Sequence, residues 1–526
     1  MRNILAGLFL GLMSVCARAQ PADIALPDVL AVEMPKGVNQ IGPSDSPLRE
    51  LLASAHSAAG TVTTDLRGKI GTGPVRLTFS AWDGPPGSGK PAVTRVARLF
   101  VLPFGMTPVG VSGDENATSG NNAAHIARDA GGYVHMVWQD GGRPGAPIGP
   151  VYRRAAMGPD GKVYLETGPI YFADSGPSDW NAYPGLAASG QDVQLVWQGG
   201  GTARTRRVSR GPNGWLMGPI SDTGVKSTGR DVGAAIAFDG KGGLHLVTPD
   251  GFYAFSRDGG KSWSSEAIPL PANEAIKTQS LAVDPTGTVH IAFSAVVTRP
   301  NPATGKLGGY WQLRTISRTQ DGRWTDATNV LANAPAWKEL QGQDDMLADW
   351  ARIAADKQGG LHIAWHGTAL SHAYSHDSAF YAWKTPGGTW SAPVLLVPPD
   401  ATRGIKYSFA PSLALDGDRA LALVFYDIYH GTDWVAFDSA LATLRRGRME
   451  TPLLSVTQFA QTAIAAGHPQ MAMGPRFPAV APAAWHAADG HIWLDVLETV
   501  QSTFQPAGTH LIVYQRLDMT TPLHQP

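Results

Sequence analysis

Ser256-Arg257-Asp258-Gly259-Gly260-Lys261-Ser262-Trp263 fits the pattern S-x-D-x-G-x-x-W, and its chemistry dictates a tight hairpin. An aspartate at the third place accepts hydrogen bonds from backbone N–H groups two residues on, and the glycine pair tolerates the positive φ of a sharp reversal. Ser256 ties the turn from the other side. Trp263 folds its ring back over it as an apolar wedge. The octet speaks to a fold more than to a reaction.

Working outward, degenerate copies of the octet occur at Ser209–Trp215, at Ser317–Trp324 and at Pro386–Trp390. A second signature repeats upstream of them: an apolar strand, a Gly/Asp turn, then another strand. Ile126-Ala127-Arg128-Asp129 leads to Val134-His135-Met136-Val137-Trp138, and Ile236-Ala237-Phe238-Asp239 to Leu244-His245-Leu246-Val247. Leu281–Asp284 leads in the same way to Val289–Phe293, and Ile353–Asp356 to Leu361–Trp365. Weaker copies begin at Leu186, Leu413 and Pro478. The spacing of roughly 45 to 70 residues is that of propeller blades rather than helical solenoids. With 61 Gly and 40 Pro in 526 residues, turns are many and long helices few. The reading is an all-β chain: a seven-bladed β-propeller of four-stranded antiparallel sheets, with six or eight blades as the competing counts. Repeats start near residues 121, 182, 232, 279, 350, 409 and 477.

Residues 1–19 read as a signal peptide. Arg2 is the basic start, Ile4 to Val15 the apolar stretch, and Ala17-Arg18-Ala19 the small-x-small cleavage site. Cleavage after Ala19 removes Cys16, the one cysteine; lipid attachment at Cys16 is the alternative. A secreted or periplasmic bacterial protein is expected, with no later run long enough to span a bilayer. Without Arg2 and Arg18, 40 basic residues face 43 acidic ones, a net of −3. No basic block would track a phosphate backbone, so nucleic acid is not an expected partner. The cluster Arg204-Thr205-Arg206-Arg207 reads as a solvated strand edge. Residues 20–60 form a lead-in with one short helix, Ser46 as its N-cap and Pro47 in its first turn. The propeller is placed at 61–520, with an N-terminal strand completing the last blade and hiding two sheet edges. An eighth blade from 61–115 is the alternative. A monomer is expected.

Ser256–Trp263 and the strand pairs resemble the sialidase superfamily of Asp-box (BNR) repeat propellers, over roughly residues 115–515. The resemblance implies a propeller whose Asp-box turns lie far from the catalytic face. Family sialidases carry an early Arg-Ile-Pro, two further arginines that clamp a carboxylate, a Tyr–Glu nucleophile pair and an acid/base Asp. This chain has no early Arg-Ile-Pro; its nearest match, Arg476-Phe477-Pro478-Ala479, stands in the last repeat. Similar propellers also occur among polysaccharide lyases and non-catalytic glycan binders.

A propeller's site is expected at the mouth ringed by the segments leading into the inner strands. Those segments carry Trp180, Arg230-Asp231, Asp349-Trp350 with Arg352, Lys406-Tyr407 and Arg476. A second constellation is His366, His372, Tyr374 and His376 in the fifth repeat, with Tyr426-Asp427-Ile428-Tyr429-His430 in the sixth. Histidine carries protons near neutral pH and a neighbouring tyrosine can act as an acid. The spacing of His366, His372 and His376 matches no tight metal motif, and no cofactor is expected. His135, His245, His290 and His362 hold equivalent places in four repeats and so read as structural.

Three functions fit. An exported glycoside hydrolase acting on an acidic glycan would use Arg230, Arg352 and Arg476 on a carboxylate, Tyr407 as nucleophile, and Asp231 or Asp349 as acid/base. A polysaccharide lyase cutting a uronate polymer would use Arg, Lys or a metal on the carboxylate. His366, His372 or His430 would be the base, and Tyr374 or Tyr429 the acid. A binding propeller would stack sugar rings on Trp180, Trp350 and Trp485. The hydrolase is placed first, on family frequency rather than on residues.

Overall fold

A computed structural model of the protein describes residues 23–26, 30–120, 122–141, 148–158, 163–173, 182–212, 214–229, 232–300, 305, 307–332, 348–368, 377–430, 433–450, 454–455, 473–502 and 510–520. The signal-peptide reading therefore lies outside the described residues. The chain divides into two compact units, Met1–Val101 and Leu102–Pro526.

The smaller unit is a four-stranded sheet with a helix. Its strands run in the order Ala31–Glu33, Val93–Leu102, Gly73–Trp82, Thr61–Thr64. Leu48 from the helix Ser46–Ala53 joins Phe79, Leu99 and Val101 in one apolar core. Two expectations are corrected here. Asp45, with φ −72° and ψ 140°, takes the N-cap place instead of Ser46. Its carboxylate accepts the Gly42 N–H rather than a helix N–H. The strands between 61 and 102 pair with one another and with Ala31–Glu33, so they supply no eighth sheet to the larger unit.

In the larger unit, the described residues form seven antiparallel sheets that follow one another along the chain. The innermost strands are Ile126–Arg128, Ala182–Ser189, Ala235–Phe238, Glu274–Val283, Ala348–Ala355, Ile405–Asp416 and Met473–Val480. Each touches the next, and the seventh touches the first, so the sheets close into a ring. The cores confirm the order: each apolar cluster sits between two neighbouring sheets, and one spans the last and the first through Val109, Ile126, Trp138, Leu497 and Ile512. Closure is by Met106–Ser112, which pairs antiparallel with His510–Asp518 and becomes the outer strand of the seventh sheet.

Sheets stacked on both sides bury both faces of their second strands. That explains near-continuous apolar runs such as Val134–Trp138, buried at every position. Trp138, Trp197 and Trp365 end three such runs and are 0–1% exposed. Each buries enough apolar area to contribute about 3 kcal/mol or more as a wedge between sheets. At the axis the inner strands crowd each other. A Cβ on Gly233 would stand 2.3 Å from the Tyr183 carbonyl oxygen, and only glycine fits.

The octet forms the tight hairpin expected of it, although the backbone N–H groups that Asp258 accepts lie three and four residues on rather than two. It joins the strands Phe252–Ser256 and Ser264–Ala267, the two outer strands of the third sheet. Asp258 Oδ1 accepts the N–H groups of Lys261 and Ser262, each at 3.0 Å, and the Ser256 hydroxyl at 2.8 Å. Gly260 donates its N–H to Ser256 Oγ, with Gly259 at φ +72° and Gly260 at φ +85°. Trp263 Nε1 reaches back to the Gly260 carbonyl.

The four equivalent histidines are structural, as read. Asp239 Oδ1 accepts the Lys241 and Gly243 N–H groups and so builds the turn, while Oδ2 faces His245 Nε2 at 3.4 Å. Asp129, Asp284 and Asp356 face His135, His290 and His362 in the same way. The other ring nitrogen meets a tyrosine hydroxyl in three sheets, Tyr152, Tyr253 and Tyr381, and Ser317 in the fourth. Burial lowers all four imidazoles below their ordinary range, against the pull of the aspartates.

Candidate functional site

Strand alternation sends every second side chain to one face. On Arg419–His430 that rule puts Phe425, Asp427 and Tyr429 on one side, while Tyr426 and Ile428 enter the core between the fifth and sixth sheets. On Ile405–Asp416 it adds Tyr407 and Phe409. These five meet Asp349, Trp350, His366, Phe437, Arg476 and Phe477 around a cavity of about 630 Å³. Strands of three consecutive sheets, the fifth to the seventh, build it.

Two of its rings are aimed by the backbone. Trp350 has φ +50° and Phe477 has φ +48°, the left-handed region that costs a non-glycine residue about 1–3 kcal/mol. Each sits where its inner strand slips register, between Asp349 and Arg352 and between Arg476 and Ala479. The bulges turn both rings to one place, centroids 5.1 Å apart. His366 meets Trp350 edge-on at 5.1 Å. Phe425 packs on Phe477 and Phe409, and Tyr407 on Tyr429.

The polar groups are held individually. Asp427 is 3% exposed, and its Oδ1 accepts the Tyr407 N–H at 2.8 Å. Burial pushes its carboxyl up to about 6, against hydrogen bonds from the Tyr407 and Lys406 backbone and the Tyr429 hydroxyl. Burial and the Asp427 charge push Tyr429 up to about 12. Lys406 Nζ lies 4.0 Å over the Tyr429 ring. Asp349 Oδ1 accepts from the Thr278 hydroxyl at 2.7 Å and from the Trp350 N–H at 2.8 Å. The Arg476 guanidinium is stacked on Phe437 and Phe477 and paired with Glu115 at 3.0 Å. A carboxyl near pH 6, two tyrosines, a histidine and a second carboxylate beside aromatic walls can move protons at a ring-shaped substrate.

Six residues singled out from the sequence thus share the cavity: Asp349, Trp350, His366, Tyr407, Tyr429 and Arg476. Lys406 stands beside it, on Tyr429. Arg352 is not among the lining residues. It is buried near the axis, with Nη1 on the Asn122 carbonyl at 2.9 Å, and burial pushes its pKa down to about 10. Trp180, Arg230, Asp231, His372, Tyr374 and His376 lie outside the described residues. His430 ends a described strand, but its side chain lies outside the description. Trp485 sits elsewhere, 4.5 Å from the Arg128 guanidinium. Asp427 was the residue not assigned a role. Its signal was the period of two in Phe425, Asp427 and Tyr429, all on one face.

The ring of antiparallel sheets defines an all-β propeller. Among solved structures it is similar to the polysaccharide lyase Uly1, at 11% identity over 76% of this chain and 90% of that one, TM-score 0.43. It is also similar to the NanB sialidase from Streptococcus pneumoniae, at 12% over 84% and 77%, TM-score 0.39. A third is YCF48 bound to D1 peptide, at 13% over 76% and 95%, TM-score 0.36. Likeness at this level says nothing about activity. No family model matches the chain, and no curated protein matches it.

Proposed function

We propose that the aromatic cavity is the active site of an exported carbohydrate-active enzyme, a glycoside hydrolase acting on an acidic glycan. The observation that carries this reading is the Asp427 carboxyl, held near pH 6 inside a cleft walled by aromatic rings. Glycoside hydrolysis needs one carboxyl that is protonated when the leaving oxygen departs and a second group that answers the positive charge at the sugar carbon. Asp427 is the acid/base. Tyr407 is the nucleophile, and Asp349, fixed by Thr278 and the Trp350 N–H, lines the same cavity. Trp350 and Phe477 form the platform for the sugar ring, and Arg476 meets the sugar's carboxylate. Export follows cleavage after Ala19.

The second reading, a lyase acting on a uronate polymer, is favoured by one feature, His366 and Tyr429 on the same cavity. His366 would take the proton beside the carboxylate, and Tyr429 would protonate the leaving oxygen.

Incubation with a panel of acidic polysaccharides separates the two. New reducing ends without near-ultraviolet absorbance support hydrolysis; an absorbing unsaturated product supports elimination. Tyr407→Phe is expected to abolish turnover in the first case only. Saturable glycan binding with no turnover on any substrate would remove both and leave a binding propeller.

A further inference from the structure

The arginine-rich strand Thr202–Gly211 reads from sequence as a solvated edge, and three of its arginines are accounted for. Arg204 pairs with Asp222 at 3.8 Å, and Arg207 grips both Asp192 oxygens. Arg206 donates to the carbonyls of Gly218 and Phe172. Arg210 differs: it is exposed and has no carboxylate partner among the described residues. Its guanidinium lies 5.2 Å over the Tyr133 ring. Beside it opens a second cavity of about 450 Å³, lined by Tyr133, Arg154, Glu166, Arg210, Gly214 and Trp215. It lies between the first and second sheets, and none of its residues belongs to the aromatic cavity.

This cavity is built rather than incidental. Arg154 is 8% exposed, stacks 4.6 Å over Trp215 and donates to Glu166 at 2.5 Å. Tyr133 meets Trp215 edge-on at 5.4 Å, and His135, fixed by Asp129, supports Trp215 from behind at 5.0 Å. Two guanidiniums face one carboxylate, so a net positive charge awaits an anion. The donors of Arg210 and Arg154 suit an oxyanion. Glu166 and the Tyr133 hydroxyl suit hydroxyl groups, while Glu166 repels a bare inorganic anion. An occupant with both features is a sugar bearing an acidic group.

We propose that this cavity is a second carbohydrate site, which binds a uronic acid unit through Arg210 and Arg154, with Glu166 and Tyr133 on its hydroxyls. The proposal does not require the aromatic cavity to be catalytic.

Calorimetric titration of the full chain with glucuronate, glucose and sodium sulfate tests it. Glucuronate is expected to bind at least tenfold more tightly than glucose or sulfate. Arg210→Ala, at an exposed position, is expected to weaken the glucuronate isotherm about tenfold, as loss of one charge-assisted bond does. Arg210→Lys should recover part of that loss, and both variants should keep the wild-type melting temperature. An isotherm unchanged in Arg210→Ala overturns the proposal. So does sulfate binding as tightly as glucuronate, because the site is then a plain anion site. Turnover of Asp427→Asn reads the aromatic cavity separately, so failure of one account leaves the other standing.

Discussion

Asp427 shares a strand face with Phe425 and Tyr429, and burial there pushes its carboxyl up to about 6. If it gives a proton to the leaving oxygen, turnover falls as pH rises through about 6, where the acid form is lost. Asp427→Asn should lower kcat by about 10²-fold or more and erase that limb of the pH profile. A rate profile from pH 4 to 8 on both proteins checks this. Glu498 offers a test without substrate. It is fully buried, accepts from Gln515 Nε2 at 3.1 Å, and burial pushes it up to about 7. The folded chain therefore holds a proton that the unfolded chain releases near 4.5. Glu498's contribution is full below that pH and is lost as pH rises through 7, by about 3 kcal/mol. Glu498→Gln should remove this loss, so urea melts at pH 5 and pH 8 should differ less in the variant than in the wild type. Residue identity was only partly legible in sequence. Asp349, Tyr407 and Arg476 were visible as charges and rings before inner strands. Arg352 was visible in the same way, yet it turned to the axis, because a register slip two residues earlier decides which way its side chain points.

At the scale of the element, the Ser256–Trp263 hairpin and the D-x₅-H pairs were readable because each is closed within a few residues. One aspartate builds the turn with one oxygen and steadies a histidine with the other. The bulges at Trp350 and Phe477 were not readable. Their left-handed backbone is imposed by packing between sheets, and neither sequence carries the glycine that usually announces it. Gly233 does carry such a signal. A Cβ there would press on the Tyr183 carbonyl of the preceding inner strand, and the Gly233 carbonyl itself accepts from Asn122 and Gln279. Gly233→Ala should destabilise the larger unit by about 2 kcal/mol, read as a lower urea midpoint with an unchanged slope.

For the whole molecule, seven copies of one strand–turn–strand signature made the ring legible, because each sheet buries its faces only against its neighbours. Assigning the closing strand was harder. Two convincing strands at 73–82 and 93–102 belong to the smaller unit, and the modest segment Met106–Ser112 closes the ring. Pairing partners four hundred residues apart leave no local pattern. A chain begun at Gly113 leaves His510–Asp518 as an open edge and uncovers the cluster around Val109. It should aggregate in a concentration-dependent way by light scattering, whereas a chain begun at Leu102 should not.

The central claim is that the cavity walled by Trp350, Tyr407, Asp427 and Phe477 performs chemistry on a glycan. The most direct measurement is release of reducing ends from a panel of acidic polysaccharides by the wild-type chain and by Asp427→Asn, at pH 5. Turnover by the wild type that drops about 10²-fold or more in the folded variant is the predicted result. Equal rates in both proteins, or no turnover of any polysaccharide by the wild type, would contradict it.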